Sequence, residues 1–202
     1  MLPSDHLLNF QAKSKRVRRL LSRQISLSKD GRVPQTELEA IYELAFLNIF
    51  VAFENELLEL LKTSVLLDKD TKGRKLSIFL PKSRTLADKL IHGTMAYIQL
   101  LPVEQLEKIS RAYLKEGGPF AKLSQEQKLK INRSYSIRNY IAHKSPQSKR
   151  IFQKQILNNT NLPRRSASAG YYLKNQISVD RSYFDHHVAD LGGILRSICE
   201  QY

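Results

Sequence analysis

Between Leu44 and Phe53 the chain has almost no water-facing side: Ala45, Phe46, Leu47, Ile49, Phe50, Val51 and Ala52 cover nearly the whole circumference of a helix drawn through them. Such a helix must sit at the centre of its domain, or have half of its surface covered by a second subunit. The pattern therefore sets the architecture: other elements have to be wrapped around this one.

The flanking segments carry the same helical period. Leu7, Leu8, Val17, Leu20, Leu21 and Ile25 are spaced for a helix over residues 4–28, with Lys13, Lys15, Arg16, Arg18, Arg19 and Arg23 around the rest of it. Asp30-Gly31 and Pro34 break the chain, and Thr36 with Glu39 reads as a capping box opening the apolar helix. Further helices are expected over 85–101, 103–115, from a capping box at Ser124 and Gln127 through residues 138–143, and from Asp180 towards Gln201. Residues 66–84 read as a charged connection. Residues 147–178, polar and broken by Pro163 and Gly170, read as a long basic flexible segment with only short orderable pieces. The expectation is an all-α bundle of about five or six helices in a single domain over residues 1–202, with residues 1–33 forming a basic N-terminal arm.

A single cysteine, Cys199, rules out an internal disulfide framework and a Cys-based zinc site. No secretory signal pattern or run of about 18 apolar residues occurs, so a cytoplasmic protein without membrane contact is expected. The net charge of +14 is concentrated in two places. Residues 11–33 and residues 144–182 each hold eight Lys or Arg against one acid, and the remainder is neutral. Two basic blocks in an otherwise balanced chain point to a polyanion, with nucleic acid the expected partner.

The second block begins just after Arg138-Asn139-Tyr140-Ile141-Ala142-His143. On a helix Asn139 and His143 lie about 40° apart, while Arg138 sits about 140° from His143 and must reach around the cylinder. Extending the wheel puts Asn132, Ser136, Asn139 and His143 on one polar stripe, opposite Ile137, Tyr140 and Ile141. Guanidinium, amide and imidazole together suit phosphate chemistry: a fork that matches phosphate oxygens, and a ring that moves protons near neutral pH.

This R-N-x-x-A-H string resembles the signature of the HEPN superfamily, and Ile41 to Leu58 is similar to the long early helix of its RiboL-PSP type. The resemblance spans about residues 36–146. It implies an α-helical homodimer with a composite, metal-independent endoribonuclease site needing no cofactor, of the kind used by toxins and antiviral effectors. Arg138 would hold the scissile phosphate, His143 would move protons or position the 2′-hydroxyl, and Asn139 would orient either one. Glu54 is the candidate auxiliary acid, with Glu56 beside it. Lys144, Lys149, Arg150, Lys154, Arg164 and Arg165, with Tyr171 and Tyr172 for stacking, would form an RNA clamp. Lys144-Ser145-Pro146 departs from the branch of the superfamily that carries a modifiable Tyr two residues after the His. The alternatives are a non-catalytic RNA- or nucleotide-binding module and an antitoxin or adaptor bound to a regulatory protein. His186 and Asp190 are spaced for one face of a helix but lack further ligands, His6 reads as a surface residue and His92 as a core or rim one. No G-x-S-x-G or Walker pattern occurs.

Overall fold

In the computed structural model, which describes residues 2–69, 75–92, 100–163 and 167–202, the apolar helix is α2, Gln35–Leu66. It is the central element. α1, Pro3–Lys29, folds back along it after the turn at Gly31, whose φ of 73° suits a residue without Cβ. Phe46, Ile49, Phe50, Phe53, Leu57, Leu60 and Leu61 are fully buried. Truncating any of these rings to Ala would cost roughly 3–5 kcal/mol. Leu44 and Val51, two turns apart on the opposite side, remain 60% and 43% exposed. The all-round apolar pattern thus splits into a core face and an uncovered strip.

α3, Arg84–His92, packs on α2, and α4, Val103–Tyr113, leads into a tight segment where Glu116, Gly117 and Gly118 have positive φ. α5, Gln125–His143, opens with the expected capping box: Gln127 N–H donates to Ser124 Oγ, and Ser124 N–H donates to Gln127 Oε1. α8, Tyr183–Cys199, runs beside α1 and closes the core with Leu191, Ile194, Leu195 and Ile198. Among the described residues no helix is long and apolar enough to cross a membrane.

Several expectations need correction. Residues 147–178 are not one flexible loop. They form α6, Pro146–Gln155, and α7, Ala169–Lys174, followed by a small antiparallel pair, β1 Gln176–Ser178 and β2 Arg181–Ser182. Ser145 caps α6 by accepting from Ser148 N–H, Pro146 occupies the first turn, and Phe152 is buried with its ring stacked 4.7 Å from that of Tyr140. Eight α-helices therefore stand among the described residues, against the five or six expected.

The capping box at Thr36 does not form, because α2 starts at Gln35 with Pro34 at its cap and Thr36 falls inside the first turn; Glu39 instead accepts from Ser168 Oγ and from Lys174 Nζ. α4 ends at Tyr113, before the positive-φ segment. α8 is capped by Ser182 and not by Asp180. Residues 93–99 of the helix expected over 85–101 lie outside the described residues, as does the side chain of His92.

Candidate RNA-cleavage site

The stripe Asn132, Ser136, Asn139 and His143 on α5 faces a cleft of about 400 Å³, and α6 supplies its other wall through Ser145, Gln147, Ser148, Ile151 and Gln155. The reversal between the helices uses Lys144 in the left-handed conformation, φ 47°, directly before the Ser145 cap. His143 is exposed on this cleft and has no hydrogen-bond partner among the described residues. Its ring is thus available to a ligand.

Arg138 lies around the helix from His143. Its Nη1 donates to Asn139 Oδ1 at 3.0 Å and its Nη2 stands 3.8 Å from Glu54 Oε2, while Nε is buried without a partner. The guanidinium is engaged with Asn139 and Glu54 and not with His143, which lies about 140° around the helix from it. Burial pushes the Glu54 carboxyl above its usual range, with the charge of Arg138 pulling it back. Glu54 therefore addresses Arg138 and not the imidazole. Glu56 is engaged elsewhere, 3.0 Å from His6 Nδ1 and 3.7 Å from Lys13 Nζ. His6, expected at the surface, is fully buried, with Nε2 against Thr63 Oγ1 at 3.1 Å.

The expected RNA clamp is only partly assembled. Lys149, Arg150 and Lys154 are exposed on the outer side of α6, next to the cleft. Lys144 Nζ is paired with Glu43 Oε2 at 3.1 Å. Arg164 and Arg165 lie outside the described residues. Tyr172 is not available for stacking on a base, since it is buried and its hydroxyl bonds His187 Nε2 at 2.9 Å; Tyr171 is half-buried, with Lys174 Nζ 5.4 Å from the ring centroid. His186 pairs with Asp190 at 3.3 Å, and no group of three or more His, Cys, Asp or Glu close enough to hold a metal ion occurs among the described residues.

Sequence reasoning expected only a short orderable piece over 151–157 here, and not a helix starting at Pro146 that walls the cleft. Its signal was present in Ser145-Pro146, a cap followed by a first-turn proline, and in the spacing of Ser148, Phe152 and Ile156. Comparison with protein-family models, with curated proteins and with solved structures yields no match for this chain.

Proposed function

We propose that the chain is an endoribonuclease that cleaves RNA by attack of the 2′-hydroxyl on the adjacent phosphorus, without a metal, at a site shared between two copies. The observation that carries this reading is the line of Asn139 and His143 along an open cleft, with Arg138 tied to Asn139 just outside it. Attack forms the O2′–P bond and breaks the P–O5′ bond, leaving a 2′,3′-cyclic phosphate and a free 5′-hydroxyl. One group takes the proton from O2′, and a second, on the far side of phosphorus, gives a proton to O5′. His143 fits either role, and Arg138 fits the charge that builds on the non-bridging oxygens.

One chain presents one such imidazole here. A two-fold related copy supplies the second, and the apolar strip of Leu44 and Val51 is the surface that needs covering. Glu54 belongs to the same helix, one turn from Val51, so the strip runs up to the guanidinium of Arg138. A phosphate entering between the copies would find a guanidinium held in place by Asn139 and Glu54. Restraint of such an activity suits a toxin or antiviral effector.

The test is incubation of purified protein with mixed RNA in EDTA. Cleavage leaving cyclic phosphate ends, lost in His143→Ala and in Arg138→Ala, is expected. Cleavage that needs Mg²⁺ and survives His143→Ala overturns the reading.

A further inference from the structure

We infer that the cleft between α5 and α6 is a nucleobase pocket, which receives the base next to the cleaved phosphate. This rests on the reading that the chain acts on RNA, and it adds which part of the nucleotide enters the cleft.

The lining is the first ground. In a chain of net charge +14, no Lys, Arg, Asp or Glu lines this cleft. A phosphate pocket would be built from cations and aligned amide N–H groups. Here the walls are side-chain amides, hydroxyls and one imidazole, with Tyr135, Ile151 and Pro102 as the apolar part. That mixture matches a heteroaromatic base, which has apolar faces and a hydrogen-bonding edge. Ile151 is 40% exposed at the cleft, so an apolar side chain stands there with nothing over it.

The second ground is the arrangement of α6. Gln147, Ile151 and Gln155 recur at a four-residue interval and face the cleft, Phe152 faces the core, and Lys149, Arg150 and Lys154 are exposed. A strand whose phosphates follow the basic side of α6 would direct a base into the neutral cleft.

The third ground is which polar atoms are free. Asn132 is spent: its Oδ1 accepts from Val103 N–H at 3.1 Å and its Nδ2 donates to Glu104 Oε1 at 3.0 Å. Asn139 is half spent. Arg138 can only donate, so it fixes Asn139 Oδ1 as the atom it holds and leaves Nδ2 as a donor with no partner among the described residues. Gln147 has both ends of its amide unused. The fixed element is therefore an N–H₂ donor at Asn139. Uracil, guanine and cytosine offer it a carbonyl oxygen and adenine a ring nitrogen, so each base can accept from it.

The experiment titrates the full-length protein, its side-chain amides labelled with ¹⁵N, with uridine, guanosine, cytidine and adenosine in turn. All four should shift the Asn139 and Gln147 amide resonances, and inorganic phosphate, which carries no base, should not. Asn139→Ala, which removes the fixed donor, should weaken nucleoside binding about fivefold, the worth of one hydrogen bond. Ile151→Ala, at an exposed position, should weaken all four alike by losing the stacking surface. No nucleoside moving these resonances at millimolar concentration, or phosphate moving them as readily as the nucleosides, overturns the pocket. RNA cleavage by a chain whose cleft answers to no nucleoside leaves the ribonuclease reading standing. Nucleoside binding by a chain that cuts no RNA does the reverse.

Discussion

Two histidines stand on opposite sides of α5, one packed against it from α8 and one at its own end, and the contrast between them separates a residue that builds the fold from one that can do chemistry. His187, on α8, is buried, with Nδ1 against Ser134 Oγ at 3.1 Å and Nε2 against Tyr172 OH at 2.9 Å. Burial, helped by the charges of His186 and Arg133, pushes its pKa down to about 3. Both nitrogens are spent, and the ring stays neutral at ordinary pH. His143 belongs to α5 itself, stands exposed on the cleft and has neither nitrogen engaged among the described residues. The sequence alone does not tell these two of its five histidines apart; the partners assign them different work.

The strongest way to break the contrast is to remove each ring in turn. His143→Ala should reduce RNA cleavage in EDTA by about 10²- to 10⁴-fold, the usual worth of a positioned proton-transfer group. Its thermal midpoint should stay within about a degree or two, since an exposed ring without partners contributes little to stability. His187→Ala should do the opposite, stranding two buried hydroxyls and lowering stability by roughly 2–4 kcal/mol while the folded fraction still cuts. Should both variants lose stability equally, the separation of roles fails.

Acid offers a second probe of the same pair. The folded-state pKa of His187, about 3, lies below the ordinary 6.5, so between those values the unfolded chain binds the extra proton. Its contribution to stability is complete above about pH 6.5 and drains away as the pH falls towards 3, by up to about 5 kcal/mol. Urea titrations at stepped pH should show this slope in the parent and a flatter one in His187→Gln, which keeps a donor and an acceptor but does not titrate. An identical slope in both would show that other groups govern acid unfolding.

What could be read in the chain beforehand follows the same division between local and distant causes. α1, α2 and α5 were legible because long apolar periods and the Ser124 capping box act within a few residues. The polar stripe of α5 was legible for the same reason. α6 and α7 showed only as short orderable pieces over 151–157 and 171–177, because short segments gain their stability from elsewhere: the Tyr140–Phe152 stack, and α7 seated on α2 with Gly170 N–H donating to Glu43 Oε1 at 3.2 Å. Nor could sequence pair His6 with Glu56 and Thr63, fifty and more residues away, or assign Glu54 to Arg138.

Gly170 tests that explanation. A Cβ there would lie 2.1 Å from the backbone oxygen of Glu39, and a backbone atom of α2 cannot step aside as a side-chain tip can. Gly170→Ala should therefore destabilise the fold by roughly 2–3 kcal/mol, although alanine favours helices in general. Gly193→Ala is the control: no neighbour lies within 4 Å of its Cβ, and helix propensity should make it neutral or stabilising. A neutral Gly170→Ala would mean that α7 is not held against α2 by this contact.

The smallest effect distinguishes cations that are free from one that is already paired. Lys149 and Arg150 are exposed on α6 with no ion pair among the described residues, whereas Lys144 stands 3.1 Å from Glu43. Replacing Lys149 and Arg150 together by Ala should weaken single-stranded RNA binding several-fold at low salt and reduce the log-log salt slope by ~1.4, two phosphate contacts at about 0.7 each. Lys144→Ala should change the slope by less than half of that, because a cation already neutralised by a carboxylate releases fewer counterions when RNA arrives. If Lys144→Ala instead flattens the slope as much as Lys149→Ala alone, the Glu43 pair gives way to phosphate, and the RNA path extends from α6 across the end of α5 to α2.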